Sequence, residues 1–241
     1  MNNAPKVDTS KIKCSKEYVC WIDIMGTKNT MSESFQKAAN YILKFHSSVI
    51  DIVKDEEGVS YYPLMDGIFI TTPNNATIRK IIDKIFSAIG IIFLNEKKHG
   101  HRFIIKGSIS FGDIAHGKSI DEKICEKLAN ENDYKRSIMC GLPMIQAFTA
   151  EHIAPPFGVY IHESARNPAN LQGKYYGWTP LLGLDRTKLL ECIVSYFNWC
   201  EYYSHYLEID TVKINLYKEL AKEFFSNRMA KDDDDNPWDK H

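Results

Sequence analysis

The chain has 241 residues, of which 44% are hydrophobic and 25% are charged, and its 30 Lys and Arg nearly balance 31 Asp and Glu. This composition is typical of a globular protein with a buried core, and it excludes a disordered chain, a collagen-like chain and a coiled-coil rod. A net charge of -1 also argues against a broad nucleic-acid surface, which would need a basic excess. We therefore expect no nucleic-acid partner, and the length allows one domain with appendages.

Targeting signals are not apparent in the sequence. No segment approaches the ~20 consecutive apolar residues that cross a bilayer, and the polar N-terminus lacks the apolar stretch of a signal peptide. The six cysteines contain no C-x-x-C pair, which favours reduced thiols over a zinc ribbon or a thioredoxin-like site. Together these features predict a cytoplasmic protein with no membrane partner.

Periodic apolar residues predict the elements of the first half of the chain in the order strand, helix, hairpin, helix, strand. The predicted elements are a strand over 18–24, a helix over 32–54, hairpin strands over 59–65 and 67–71, a helix over 76–98 and a strand over 101–111. Residues 112–117 are predicted to turn into a short partner strand. This order predicts an α+β, ferredoxin-like split βαβ fold, in which helices cover one face of an antiparallel sheet. The other face is left free, which favours dimerisation.

The second half of the chain is predicted to add helices to this core. The predicted elements are a surface helix or an insertion over 119–132, a compact helix over 142–152, a short strand over 158–162 and amphipathic helices over 188–206 and 211–228. Residues 163–185 are rich in Gly, Pro and Asn and are predicted to be a loop.

Two aspartates occupy positions where a carboxylate is costly unless it binds something. Asp23 lies near the end of a buried strand, and Asp66 lies in the hairpin turn. In the split βαβ arrangement the first strand lies beside this hairpin, so both carboxylates can converge at one edge of the sheet. Because adjacent carboxylates repel each other, a cation between them is favoured, and oxygen ligands suit Mg²⁺ or Mn²⁺ with a phosphate substrate.

The turn after Asp23 adds a candidate phosphate-binding loop. Gly26 allows close approach of the backbone, and N–H groups at the start of the next helix can receive phosphate oxygens. Two aspartates, two metal ions and a triphosphate indicate in-line attack at phosphorus. The alternative for either aspartate alone is an ordinary turn or cap residue.

Four segments carry a resemblance to a known family. They are YVCWIDIMG at 18–26, YYPLMDGIFITT at 61–72, FIIKGSISFG at 103–112 and GLPMIQAFTAE at 141–151. In this order they resemble the catalytic core of class III nucleotidyl cyclases, most of all the small bacterial pyrimidine cyclases of Pycsar antiphage defence. The resemblance implies an enzyme that makes 3′,5′-cyclic nucleotides from nucleoside triphosphates and releases pyrophosphate.

The resemblance also implies roles for single positions. Asp23 and Asp66 match the two metal-binding aspartates, and the backbone carbonyl of Ile24 would join one of two Mn²⁺ or Mg²⁺ ions. The positions that match the loop over the triphosphate are Met25, Gly26 and Thr27. Active sites of the family lie between two head-to-tail protomers, so a homodimer is expected. The product would be read by a separate cyclic-nucleotide effector protein.

Several positions depart from the family pattern. Tyr62 and Ile138 stand where purine cyclases usually carry a base-reading Lys and an Asp, which favours a smaller base, from UTP or CTP, with Tyr62 as a substrate-binding residue. Packing across the strands is the alternative role for Tyr62. Ile145 and Thr149 stand where an Asn and an Arg usually stabilise the transition state.

Either another basic residue replaces that Arg, or the chain is inactive. Lys106 and Arg136 are selected as catalytic candidates, Lys135 is a further one, and an ordinary surface charge is the alternative for each. Three rival hypotheses stay open: a pseudocyclase that binds nucleotide without turnover, a palm-type synthase of an oligonucleotide signal, and an interaction protein in which Asp23 and Asp66 only form turns.

The expected domain organisation follows the extent of the resemblance. It consists of a flexible arm over 1–16, a nucleotidyl cyclase catalytic domain over 17–165, a C-terminal helical extension packed on it over 166–229 and a disordered acidic tail over 230–241.

Overall fold

The computed structural model describes residues 5–166, 177–178, 183–207 and 210–229. The strands are β1 (Ser15–Ile24), β2 (Ser60–Leu64), β3 (Gly67–Thr72), β4 (Ile105–His116), β5 (Met139–Cys140), β6 (Val159–Ile161) and β7 (Gly177–Trp178). The helices are α1 (Thr27–Glu33), α2 (Phe35–Val53), α3 (Asn75–Asn95), α4 (Glu122–Ala129), α5 (Asn132–Arg136), α6 (Leu142–Ala150), α7 (Arg186–Tyr202), α8 (Ser204–Leu207) and α9 (Thr211–Met229).

The described strands form one sheet in the order β2-β3-β1-β4-β6-β7, with β5 paired to β4. The pairs β2–β3, β3–β1 and β1–β4 are antiparallel, which is the strand order of a split βαβ core. Beyond this core, β6 pairs parallel to β4. The predicted α+β, ferredoxin-like fold is therefore confirmed.

The main core lies between the sheet and helices α2 and α3. Strand residues such as Ile22 pack there against Phe45 of α2 and Ile85 of α3, and all three are fully buried. Ile193 of α7 and Phe225 of α9 belong to the same apolar cluster. Burial of large aliphatic and aromatic side chains is the main stabilising contribution here, and the helices after residue 185 take part in it.

Among the described elements, α6 covers part of the opposite face of the sheet. The hydroxyls of Ser108 and Ser110 on β4 donate to the carbonyls of Ala147 and Pro143, which ties the α6 segment to this face. The prediction that this face is entirely free is therefore wrong for the area under α6. Small serines on β4 let the helix backbone approach closely enough for these hydrogen bonds.

Two predicted boundaries are also wrong. The helix predicted over 32–54 is two helices, because Ser34 has an extended backbone and its side chain accepts a hydrogen bond from Lys37 N–H at the start of α2. The turn predicted over 112–117 does not occur, because β1 begins at Ser15 and pairs with β4 as far as Ile114.

The structure describes residues 5–16 of the predicted N-terminal arm and none of the predicted C-terminal tail. The N–H of Asp8 donates to the carbonyl of Ile124 at 2.9 Å, which holds the described part of the arm against α4. The predicted tail over 230–241 and most of the predicted loop over 163–185 lie outside the described residues. Among the helices that are described, none is long and apolar enough to cross a membrane.

Candidate active site

The strand pairing brings Asp23 and Asp66 to the same edge of the sheet. Asp23 is directly opposite Gly67 in the β1–β3 pair, and Asp66 is the residue just before Gly67 in the hairpin turn. Electrostatic repulsion from Asp66 contributes to the raised pKa of Asp23, so the two carboxylates are close enough to interact. The two acids, far apart in sequence, are thus neighbours because β1 lies beside the hairpin.

Steric constraints fix the shape of this hairpin. A Cβ atom on Gly67 would lie 2.3 Å from the Trp21 ring and 2.8 Å from the carbonyl oxygen of Ile22, so only glycine fits. Met65 has a left-handed backbone with φ of 54°, and its carbonyl lies 3.0 Å from Nε2 of His46 on α2. These contacts hold the turn that carries Asp66.

Asp23 has two features that are expected of a carboxylate that binds a cation. Its Oδ1 atom is buried and has no hydrogen-bond partner among the described residues. Burial, and then repulsion from Asp66 and Glu151, raise the pKa of Asp23 to about 7. The described residues include no group of three His, Cys, Asp or Glu side chains that could hold a metal. A divalent ion would therefore have two side-chain ligands here, Asp23 and Asp66, with backbone oxygens or substrate completing its shell.

Lys106 is the cation that faces the acid cluster, which consists of Asp23, Asp66 and Glu151. It stands opposite Asp23 in the β1–β4 pair, so both side chains share one face of the sheet. Its Nζ lies 3.1 Å from Oε1 of Glu151, with both side chains nearly buried, and 5.5 Å from the ring centre of Tyr217 on α9. Three carboxylates and one ammonium leave an excess of negative charge, which fits a metal ion.

The predicted triphosphate loop follows β1 directly. The N–H of Met25 donates to the carbonyl of Ile104 at 2.8 Å, which ties the loop to the sheet. Gly26 has a left-handed backbone with φ of 77° and caps α1. The buried hydroxyl of Thr27 donates to the carbonyl of Ile24 at 3.1 Å, which holds this carbonyl beside the start of α1.

The other predicted cations lie elsewhere. Arg136 is an exposed residue of α5 whose guanidinium lies 3.8 Å from Asp133, and no described contact joins it to Asp23 or Asp66. Lys135 is buried and donates to the carbonyls of Ile120 and Ala129, which occupies its ammonium. Of the three basic candidates, Lys106 alone has a described contact with the acid cluster.

Tyr62 is buried on β2, and its hydroxyl bonds to His116 of β4. Sequence reasoning assigned no role to His116, Glu17 or Glu151. The Glu at the end of the GLPMIQAFTAE segment was a signal for Glu151, but amphipathic patterning explained it equally well. Glu17 and His116 gave no signal, because they lie 99 positions apart and meet only through the β1–β4 pair.

Comparisons with known proteins place the fold. No protein-family model matches the chain, and no curated protein matches it significantly. A bacterial light-regulated adenylyl cyclase aligns with a TM-score of 0.54 and 10% identity over 78% of this chain and 58% of that one. The guanylyl cyclase Cya2 aligns with a TM-score of 0.50 and 13% identity over 67% of this chain and 84% of that one.

These alignments identify the class of fold. The chain has the fold of a class III nucleotidyl cyclase domain, with an antiparallel sheet packed by helices. At this level of identity the likeness concerns the fold, and one fold can support different functions. The activity must therefore be inferred from the site.

Proposed function

We propose that this protein is a nucleotidyl cyclase that converts UTP or CTP into the 3′,5′-cyclic monophosphate and pyrophosphate. The observation that carries the proposal is that Asp23 and Asp66 meet at one sheet edge, where the buried Oδ1 of Asp23 has no hydrogen-bond partner within the part of the chain that the structure describes. The cyclase fold supports the same function, and it favours a cyclase over a palm-type synthase.

In this proposal the site residues bind the triphosphate and direct one displacement. Asp23, Asp66 and the Ile24 carbonyl would hold two Mg²⁺ or Mn²⁺ ions, whose charge lowers the pKa of a ribose hydroxyl and neutralises the phosphates. The ribose 3′-hydroxyl gives its proton to water and its oxygen bonds to the α-phosphorus, while the bond from that phosphorus to the oxygen bridging the α- and β-phosphates breaks and pyrophosphate leaves. By the resemblance, the loop of Met25, Gly26 and Thr27, which leads from β1 into α1, would bind phosphate oxygens.

Lys106 is the residue proposed to take the place of the missing arginine. Its ammonium has three N–H donors, so it can keep the contact with Glu151 and still donate to an α-phosphate oxygen. Burial strengthens such a contact, because the local dielectric constant is low. Arg136, exposed and paired with Asp133, is the weaker candidate.

Tyr62 supports a pyrimidine substrate. It lies opposite Phe69 on β3, which in turn lies opposite Trp21, two residues before Asp23. A buried phenol at this position fills space and offers one hydroxyl, where purine cyclases usually carry a lysine. By the resemblance of the four segments, the cyclic product would act as a signal in antiphage defence that a separate effector protein reads.

A homodimer with active sites at its interface is part of the proposal. Helix α6 exposes Leu142, Ile145 and Phe148 by 64%, 54% and 53%, and the hairpin turn exposes Met65 by 80%. The ring centroids of Phe148 and Trp21 are 5.4 Å apart. This apolar surface therefore continues into the face of the sheet that carries Asp23. Exposed apolar patches of this kind favour a protein partner, and a second copy is the partner that the fold favours.

The test uses purified protein with Mn²⁺ and ATP, GTP, CTP or UTP, with products identified by mass spectrometry. We expect cyclic UMP or cyclic CMP from the wild type, and loss of that product in Asp66→Ala. Asp51→Ala, which removes an exposed acid of α2, serves as the matched control and should retain activity. Equal activity in wild type and Asp66→Ala would contradict the proposal.

A pseudocyclase is the second candidate, and one observation favours it. Ile145 and Thr149, which occupy the usual Asn and Arg positions, both lie on the exposed side of α6 and offer no cation there. In that case the protein would bind nucleotide without turnover. Nucleotide binding that Asp66→Ala abolishes, with no product from any of the four nucleotides, would establish this function instead.

A further inference from the structure

Three aromatic side chains, from β1, β3 and α6, form a cluster on the α6 face of the sheet. The ring centroid of Trp21 lies 4.4 Å from that of Phe69 and 5.4 Å from that of Phe148. Trp21 and Phe69 are only 4% and 5% exposed, whereas Phe148 is 53% exposed. Phe148 is therefore the ring of this cluster that a ligand from solution can reach.

The hairpin places this aromatic cluster beside the acid cluster. A Cβ atom on Gly67 would lie 2.3 Å from the Trp21 ring, so the indole covers this glycine. Gly67 directly follows Asp66 and stands opposite Asp23 in the β1–β3 pair. Because alternate residues of a strand share a face, Phe148, Trp21 and Asp23 follow one another along the same side of the sheet.

Helix α6 provides a second link between Phe148 and the acid cluster. Phe148 lies three residues before Glu151 at the end of this helix, and side chains with that spacing are neighbours. The Glu151 carboxylate lies 3.1 Å from the ammonium of Lys106, which stands opposite Asp23. The exposed ring is thus about one helical turn from the acid cluster, a separation that the ribose of a nucleotide can span.

We propose that Phe148 is the ring on which the base of the nucleotide stacks while the phosphates bind at Asp23 and Asp66. This inference rests on the proposed function and adds a base-binding residue to it. Aromatic side chains bind nucleobases by stacking, because every base has a flat π face. Stacking discriminates little among bases, so Phe148 would contribute affinity, and the preference for one base would depend on other residues.

The position of Phe148 on α6 separates this role from packing and from assembly. A ring that only filled the core would be buried as Trp21 is, but more than half of Phe148 is exposed. Leu142 and Ile145, on earlier turns of α6, supply apolar area for the proposed dimer further from Glu151. Stacking and dimer formation can therefore be tested separately.

The test measures binding of the four 3′-deoxynucleoside triphosphates and of inorganic triphosphate in the presence of Mn²⁺. The 3′-deoxy compounds lack the attacking hydroxyl and cannot cyclise, and inorganic triphosphate has the phosphates without a base. We expect Phe148→Ala and Phe148→Leu each to weaken binding of every 3′-deoxynucleotide that the wild type binds by roughly tenfold. Binding of inorganic triphosphate should not change, because neither variant alters the acid cluster.

Two variants serve as controls. Phe148→Leu keeps an apolar side chain at the surface of the proposed dimer, so sedimentation velocity should show the same oligomeric state as for the wild type. Phe35→Ala removes a ring that is 72% exposed on α2, which packs on the other face of the sheet, and this variant should bind every ligand as the wild type does.

A second readout reports the base at position 148 directly. Phe148→Trp should bind the 3′-deoxynucleotides at least as tightly as the wild type does, because the indole offers a larger π face. Its added tryptophan should also lose fluorescence when a nucleotide binds, beyond any loss seen in the wild type, because a stacked base quenches indole emission. Inorganic triphosphate should cause no such additional loss.

Several outcomes would overturn the inference. These are wild-type nucleotide affinity in Phe148→Leu, an equal loss of affinity for inorganic triphosphate, no additional quenching in Phe148→Trp, and a wild type that binds none of the four 3′-deoxynucleotides. Failure of the proposed function is distinguishable, because it appears as absent cyclic product from ordinary nucleoside triphosphates while binding of the 3′-deoxy compounds still depends on Phe148.

Discussion

The titration of Asp23 links the stability of the protein to its site. Its pKa is about 7 in the folded protein, raised first by burial and then by Asp66 and Glu151, against 3.8 for an ordinary Asp. The folded state therefore keeps this proton at pH values where the unfolded chain has released it. The stabilising contribution of the proton is complete below pH 3.8 and is lost as the pH rises through about 7.

Asp23→Asn should remove this loss of stability. In the presence of a chelator, we expect the melting temperature of the variant to exceed that of the wild type at pH 8, because the variant has no charge to bury. The difference in melting temperature should be smaller at pH 4. Added Mn²⁺ should raise the melting temperature of the wild type and not that of the variant. Thermal melts at both pH values provide the measurement.

A matched control separates the site from burial in general. Asp83 on α3 is another acid whose pKa burial raises, to about 6, and it has no described contact with Asp23 or Asp66. Asp83→Asn should keep the Mn²⁺ response and the activity. Wild-type stability that is unaffected by Mn²⁺ at pH 8 would argue against a metal at Asp23.

At the scale of elements, the β2–β3 hairpin is the part on which the site geometry depends. Its turn is fixed by the close approach of Gly67 to Trp21, by the left-handed backbone of Met65 and by the contact of His46 with that residue. A change in the hairpin therefore moves Asp66 relative to Asp23.

Gly67→Ala should disrupt this arrangement. The added Cβ would overlap the Trp21 ring and the backbone of Ile22, so we expect a lower melting temperature, an altered near-UV circular dichroism signal and little cyclase activity. Gly100→Ala is the control, because the nearest atom to its added Cβ lies at 3.5 Å, an ordinary contact distance. A Gly67→Ala protein with wild-type activity would show that the hairpin tolerates movement.

The elements also show how far sequence patterns reach. The apolar pattern of residues 59–65 and 67–71 predicted the hairpin and the place of Asp66 between its strands, because that signal is local. The break at Ser34 was missed, since apolar periodicity continues through it and the capping hydrogen bond to Lys37 was not considered. The bonding of Tyr62 to His116 and Glu17 could not be predicted, because it depends on the register of three strands.

At the scale of the whole molecule, the surface of the proposed dimer lies mainly on one helix. The exposed apolar residues of α6 lie on the α6 face of the sheet, whereas α2 and α3 cover the other face. A dimer formed through α6 would bring a second chain against the face that carries Asp23 and Lys106.

Leu142→Glu should weaken this dimer. A charge in place of an exposed apolar residue costs little in the monomer but opposes burial between two chains, so sedimentation velocity should show a shift from dimer to monomer, with reduced cyclase activity. Leu43→Glu is the matched control, since Leu43 is 68% exposed on α2 and lies away from α6. A Leu142→Glu protein that remains dimeric would exclude this surface as the interface.

The contact between Lys106 and the ring of Tyr217 has a consequence for the order in which the protein becomes functional during synthesis. Every residue assigned to nucleotide handling lies before position 152, but the aromatic ring beside the buried ammonium belongs to α9. Phe225 of the same helix completes the core that supports β1. While α9 is still inside the ribosome, the chain has the two aspartates and the lysine but lacks the packing that Tyr217 and Phe225 provide. We therefore expect nucleotide turnover to begin only after α9 has emerged and packed.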